Sequence, residues 1–409
     1  ETKIYGTPEM EQADAYYVDR LVKFLLWSWG GFKVSICGDD NVAAAIRAAK
    51  TAAQAAIGTI GASTALGAVD WPLAASAVQR AESIGRHLDG GRIGFDAGGS
   101  DRKVSAVLDG EPIYSEEVVW FPKTISNPDY HFEGIMAALS TAAAKILEKG
   151  GHVDAIGVSS AGVYIDNKCM VASLFLKVGK DEFDKKVKNI YTRAAEQLSS
   201  QLGYHIPVVV ANDGDVSALA GAMGLGENGI MGIAMGTSEA VGYVDTEGNI
   251  CGWLNELAFA PVDGQPDAME DEWSGDIGCG VKYFSQDGVI KLAPRAGIEL
   301  TGASPAEKLK EVQKLAEGGN PYALAIFDSI GVYLAHTLSL YEMFYDIRNL
   351  LVLGRVASGI GGERIVSECQ RVLNEEYPEL SRKLRVMLPD ENFRRVGQSM
   401  AAASLPDIR

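Results

Sequence analysis

The sequence predicts an α/β fold of two α/β units behind an N-terminal extension, and three observations predict it. From residue 91 onward, short apolar runs such as "RIGFDAGG", "VDAIGVSS", "PVVVAN" and "NLLVLG" alternate with stretches of helical periodicity. Each half of this region begins with a Gly-rich β-hairpin pattern. At 409 residues and 47% hydrophobic content, the chain is long enough for more than one core.

In order along the chain, residues 14–30 read as a helix, "FKVSICG" (32–38) as a strand and "NVAAAIRAAKTAAQAAI" (41–57) as a helix by its Ala content. Residues 51–69 carry no charge, but they are Ala, Gly, Thr and Ser rather than Leu and Ile. They read as an Ala-rich soluble helix that breaks up at its glycines, not as a membrane span. After "DGG" (89–91), the strands "RIGFDAGG", "KVSAVLDGE" and one around "YSEEVVWF" form a β-meander. A helix near 132–149 leads to the strand 153–160, and a charged helix near 180–202 leads to "PVVVAN". The second unit opens with "GIMGIAMGTS" and "AVGYVDTEGNICGW" as a hairpin, and continues through a helix near 321–346 to "NLLVLG". These signals mark a change of organisation near residue 90 and a second α/β unit opening at 229.

Charge and cysteine usage exclude several classes of function. A net charge of -17 without a basic cluster would repel a nucleic-acid backbone or an anionic membrane, so neither is expected as a partner. The five cysteines, Cys37, Cys169, Cys251, Cys279 and Cys369, are spaced too widely for a disulfide framework or a paired-thiol metal site. With acidic, polar residues at the start and no secretory pattern, the expected location is cytoplasmic.

The chemistry-bearing motifs lie at strand ends. In "GFDAGGSDRKV" an apolar strand ends at Asp96 and turns through Gly98, Gly99 and Ser100, where bare Cα atoms let a phosphate approach backbone N–H groups. "GIAMGTSEAVGYV" repeats the device through Gly236, Thr237 and Ser238. Taken singly, each is an ordinary tight hairpin; in tandem, separated by a strand ending in Asn212-Asp213-Gly214-Asp215, they are far more specific. A carboxylate at the C-terminal edge of a buried strand sits where α/β sheets place ligands. The alternative is that Asp213 or Asp215 caps the helix that follows, or that Asp215 is a solvated turn residue. A third Gly-rich turn, "GRVASGIGGERI" (354–365), runs into a helix whose N-terminus is placed to hold a nucleotide.

This order of phosphate hairpin, carboxylate strand end, phosphate hairpin and nucleotide loop resembles the actin-like ATPase superfamily of sugar kinases, with its two-lobed, ribonuclease H-like fold. Within it, the chain resembles the repressor, open reading frame and kinase (ROK) family over roughly residues 91–409, which implies an extension (1–90), a small lobe (91–211) and a large lobe (212–393), with "RRVGQSMAAAS" in a closing helix (394–409) that returns to the small lobe. The resemblance implies ATP-dependent phosphorylation of a hydroxyl on a sugar or sugar-like substrate, with Mg²⁺ and in a homodimer. It makes Asp213 the general base, and Asn212, Glu256 and Ser173 substrate ligands. Asp96 becomes the residue that orients magnesium, mostly through water. Nucleotide contacts fall to Asp96, Gly98, Gly99, Ser100, Lys103, Gly236, Thr237, Ser238, Gly354, Ala357 and Ser358.

Four departures from the family pattern stand out. Phe259 replaces a His that grips the sugar and ligates a structural zinc, and Cys279 is the lone remnant of the cysteine cluster that completes that site, so no zinc is expected. Glu239 stands in what is normally a glycine-rich run. There it either points away from the nucleotide, turns back onto a backbone N–H, Lys103 or Arg355, or meets the phosphates through a metal. Arg355 replaces a nucleotide-loop glycine, and either reshapes the adenine pocket or faces solvent. Beside the kinase stand two other readings: a sugar-sensing regulator that kept the cleft without turnover, and another actin-like activity such as an acyl-phosphate kinase or a hydrolysing ATPase.

Overall fold

A computed structural model describes residues 2–30, 33–35, 41–46, 65–67, 85–389 and 391–408. A short parallel pair, β1 (Lys33–Ser35) with β2 (Ala65–Gly67), belongs to the N-terminal extension. The 41–57 helix is described only as helical over 41–46, and most of the uncharged 51–69 stretch lies outside the described residues.

The small lobe is a five-stranded sheet in the order β5-β4-β3-β6-β9. β3 (Gly91–Ala97), β4 (Asp101–Leu108) and β5 (Glu111–Val119) form the antiparallel meander. β6 (Val153–Ser160) and β9 (Val208–Asn212) add in parallel, because a helix crosses over before each. The first crossover helix, Pro128–Glu148, is capped by Asn127, whose side chain accepts from Asp129 N, with Pro128 in the first turn. The second is interrupted, contrary to the continuous helix read at 180–202. A turn at Lys180–Glu182 runs into a π-turn at Phe183–Val187 before the helix Ile190–Leu202. The carbonyls at the break have other partners: Lys186 O accepts from Arg193 Nη1 (2.6 Å) and Lys188 O from Cys169 N (2.9 Å). Cys169 lies on β8 (Lys168–Val171), which pairs with β7 (Val163–Ile165).

The large lobe repeats the plan in the order β11-β10-β12-β13. β10 (Ile230–Met235) and β11 (Glu239–Val244) form the second hairpin, while β12 (Asn349–Leu353) and β13 (Arg385–Met387) are parallel to β10. Helix Pro321–Tyr341 is the one helix among the described residues long and apolar enough to cross a membrane. Here Ile326, Phe327, Ile330, Leu334 and Leu338 carry it into the lobe's core.

Two helices fill the space between the sheets, Asp213–Leu225 and Glu391–Ala403, and glycines let them in. Gly94 and Gly157 face each other on β3 and β6. A Cβ on Gly94 would lie 1.6 Å from Ser399 O, and one on Gly157 1.7 Å from Ala402 O. On the other side, a Cβ on Gly242 of β11 would lie 1.9 Å from Gly214 O. Both helices therefore rest directly on strand backbone, and Val216, Leu219, Ile230, Leu351, Ala401 and Leu405 form a core between the lobes.

The first helix of the extension, Glu11–Ser28, is built into the large lobe. Trp27 O and Ser28 O accept from Glu256 N (3.0 Å) and Asn255 N (2.9 Å), and Arg20 donates to Ile277 O and Asp263 O (both 2.7 Å). Phe24 is buried, with its ring 4.7 Å from that of Phe344 and 5.7 Å from that of Tyr341.

Candidate active site

The strand ends bring the predicted residues to one place. Asp96 is next to last on β3, and across the strand pair it faces Ser159, whose Oγ donates to its Oδ1 at 2.9 Å. One strand further, Asn212 ends β9 opposite Ser160. Asn212 is the cap of helix Asp213–Leu225: its Oδ1 accepts from Gly214 N (2.7 Å) and its Nδ2 donates to Gly162 O (2.8 Å). Asp213 is half-buried, and Oδ1 accepts from Gly214 N at 3.0 Å.

These carboxylates act on one another. Burial, followed by the charge of Asp213, pushes Asp96 up to about 7 even though the Ser159 hydrogen bond opposes it. Glu256, on the 254–263 segment, is pushed up to about 7 by burial and by Asp213. Asp213 itself is raised by burial, with Gly214 N and the Lys123 ammonium working to keep it ionised.

The two glycine-rich hairpin turns flank this cluster. In the first, Gly98 O accepts from Trp120 Nε1 (2.7 Å) and Ser100 Oγ donates to Asp101 Oδ2 (3.0 Å). Lys103 pairs with Asp101 (3.7 Å) and Glu117 (3.6 Å), while its charge reaches Asp96. In the second, Gly236 N donates to Ser238 O (2.9 Å), leaving Thr237 and Ser238 exposed. The third glycine-rich turn docks on this second hairpin, where Val356 N donates to Met235 O (3.0 Å). Gly354 has a φ of +90°, and a Cβ there would lie 2.4 Å from the same Met235 oxygen, so the close approach requires glycine. Ala357 is buried and Ser358 exposed, just ahead of helix Ile360–Glu376. Arg355 is exposed, and its carbonyl accepts from Gln313 Nε2 (2.7 Å). Ser173 is half-buried on the turn Ser173–Phe175, which packs against the turn Pro122–Thr124.

One sequence reading needs correction. Asp215 neither caps the helix nor lies in solvent: it is 6% exposed, and its Oδ1 accepts from Asn255 Nδ2 (2.8 Å) and Tyr243 N (3.3 Å). For Glu239 the structure selects the first alternative, pointing away from the turn, and pairs it with neither a backbone N–H, Lys103 nor Arg355. Its side chain turns into the large lobe, away from the phosphate turn, and its oxygens have no hydrogen-bond partner. Phe259, at the position of the missing His, packs its ring 5.0 Å from Trp27 and 4.5 Å from Trp273, with buried Cys279 beside it. This segment is thus clasped by apolar side chains, one of them from the N-terminal helix.

The sequence did not point to Lys123 or Gln398. Lys123 lies over the first hairpin, so that a Cβ on Gly99 would sit 3.1 Å from its Nζ. Gln398 follows Gly397, whose φ of 62° and ψ of 162° break the closing helix. Its Nε2 donates to both Ser159 Oγ and Asp213 O (2.9 Å each), tying Asp213 to the serine that holds Asp96. If the site turns over a nucleotide, Gln398→Leu lowers kcat by about tenfold, because Gln398 positions Asp213 and Ser159 without touching the reacting atoms. The KM for nucleotide should change little, and a kinetic titration of the variant checks the split.

A second test follows from Asp215. Burial raises its pKa from 3.8 to about 7, so the folded state holds a proton that the unfolded chain has lost. Its contribution to stability is full below about pH 4 and is lost as pH rises through about 7. Asp215→Asn keeps an acceptor for Asn255 and Tyr243 and removes this titration. Melting curves between these limits should fall less steeply for the variant, by a difference on the order of a few kcal/mol across the window. Parallel curves for the two proteins would contradict the assignment.

No family model matches the chain, and no curated protein does. Solved structures do match. A ROK family glucokinase from Streptomyces griseus, determined with glucose and AMPPNP, is 20% identical with a TM-score of 0.54, over 77% of this chain and 98% of its own. The ROK hexokinase from Thermus thermophilus is 19% identical with a TM-score of 0.56, over 76% and 96%. A ROK family transcriptional regulator, a homolog of the E. coli MLC protein, is 14% identical with a TM-score of 0.56, over 76% and 77%. What these likenesses establish is architecture: the chain has the two-lobed α/β fold of the ROK sugar kinases.

Proposed function

We propose that this protein is an ATP-dependent kinase that transfers the γ-phosphoryl group to a hydroxyl of a sugar or sugar-like polyol. The observation that carries the reading is the placement of Asp213. It stands at the end of the half-buried edge strand β9, among the two glycine-rich hairpins and Asp96, with a raised pKa and, among the described residues, no ion-pair partner. In this reading Asp213 takes the proton as the acceptor oxygen forms its bond to phosphorus and the bond to ADP breaks in line. Gly214 N and Lys123 keep the base ionised, Lys123 faces the phosphates from above Gly99, and Asn212, Glu256 and Ser173 hold the acceptor. Phe259 packs beside the acceptor segment, where a His would have made a polar contact.

Asp96 fits a magnesium site. A carboxylate this buried, with one oxygen on Ser159 and its pKa pushed up to about 7, is stabilised as an anion by a nearby divalent ion. Mg²⁺ bound with ATP would supply charge neutralisation on the phosphates. The same reading has the protein act as a homodimer in the cytoplasm.

A coupled ADP-release assay over a sugar panel, with Asp213→Asn as the control, tests the proposal. A second reading, a sugar-responsive regulator without turnover, is favoured by the likeness to the ROK regulator. It predicts thermal stabilisation by a sugar with no ADP release in the presence of magnesium and ATP.

A further inference from the structure

Glu239 opens β11 directly after the turn of the second hairpin, yet its side chain is 5% exposed, and both carboxylate oxygens lack a partner. The charged group that it feels is Glu256, whose carboxylate makes ionisation harder. A second buried oxygen without a partner feels the charge of Glu239. Tyr341, on helix Pro321–Tyr341, is fully buried with its hydroxyl unpartnered, and the charge of Glu239 adds to the burial that raises that phenol. A third oxygen converges at Gly280: a Cβ there would lie 2.5 Å from Glu239 Oε2 and 2.5 Å from the Leu257 carbonyl oxygen. Around them the lobe is apolar, with Met235, Val241 and Phe284 all buried.

A carboxylate in such surroundings must be paired, metal-bound or neutralised. A proton would serve one Glu239 oxygen and leave the other oxygen bare. A cation serves several oxygens at once. We propose that Glu239, the Tyr341 hydroxyl and the Leu257 carbonyl hold a monovalent cation of the potassium or sodium class inside the large lobe, behind the second phosphate hairpin. Neutral carbonyl and hydroxyl oxygens with a single carboxylate suit an alkali ion, whereas divalent ions gather several carboxylates. Among the described residues no group of three or more His, Cys, Asp or Glu is arranged to hold a metal. The ion would fix the start of β11, and through it the turn Gly236–Ser238. This site goes beyond the kinase reading and stands whether or not the chain turns over ATP.

Melting temperature reads the site without reference to activity. Protein dialysed into tetramethylammonium chloride should gain several degrees when potassium or sodium chloride replaces it at constant ionic strength, along a saturable curve. Glu239→Gln, nearly isosteric and uncharged, should lose that response and melt no lower than the parent in tetramethylammonium. Tyr341→Phe keeps the carboxylate and should weaken half-saturation by about tenfold. The proposal is overturned if the parent melts alike in all three salts, or if Glu239→Gln keeps the full alkali response.

Discussion

Asp213→Asn is expected to lower phosphoryl transfer by about 10²–10⁴-fold, the range a positioned base supplies, while leaving the fold and nucleotide binding close to those of the parent. The structure gives reasons for both halves of this expectation. The Asn amide keeps the size of the carboxylate and an oxygen to accept from Gly214 N, so the first turn of helix Asp213–Leu225 retains its geometry. The cap of that helix is the Asn212 side chain, and Gln398 holds the Asp213 carbonyl rather than its carboxylate. Only basicity and charge are removed. Removing a charge that raises both Asp96 and Glu256 should, if anything, stabilise the protein. Turnover by the variant within about tenfold of the parent in the ADP-release assay would show that Asp213 is not the base.

How far the sequence carries depends on whether a feature is local. Strands β3, β6, β9 and β12 were legible because each is an apolar run with a Gly or Asn at, or within two residues of, its end, and the two hairpins because their turns need bare Cα atoms. Asp96, Asn212 and Asp213 follow from the same reasoning, since a residue at a strand end is placed by the strand. What escaped is tertiary. Asp215 is two residues from Asp213 and looked like a cap, but about half a helical turn rotates it away from the strand end and into the large lobe, towards Tyr243 and Asn255. Glu239 occupies a turn position whose inward or outward direction depends on strand register, which the hairpin sequence does not print. Met235↔Glu239 pairing sends it inside. Lys123 and Gln398 reach the site from segments with no motif of their own, and Trp27 meets Phe259 across more than half the chain.

Gly94→Ala is expected to be the most damaging single-methyl change in the small lobe, costing ~3 kcal/mol or more. The added Cβ would sit 1.6 Å from Ser399 O, 2.7 Å from Ala403 N and 2.8 Å from Ser399 C. All three are backbone atoms of the closing helix, so no side-chain rotation relieves the clash and the helix must lift off the sheet. Gly94 has no positive φ, so the cost arises from the approach of two backbones and not from the conformation of the residue. Lifting that helix also draws Gln398 away from Ser159 and Asp213, and Ser399 away from Ser105, to which its Oγ lies at 2.7 Å. The variant should therefore lose melting temperature and, in whatever fraction remains folded, lose turnover with nucleotide affinity largely kept. Gly179→Ala is the matched control: its φ is -63°, and nothing lies within 4 Å of the added Cβ. Equal melting temperatures for the two variants would mean that the closing helix does not rest on β3 in solution. A destabilised Gly94→Ala protein with unchanged kcat would separate the two roles, leaving the helix as a structural brace whose Gln398 contributes nothing to the site.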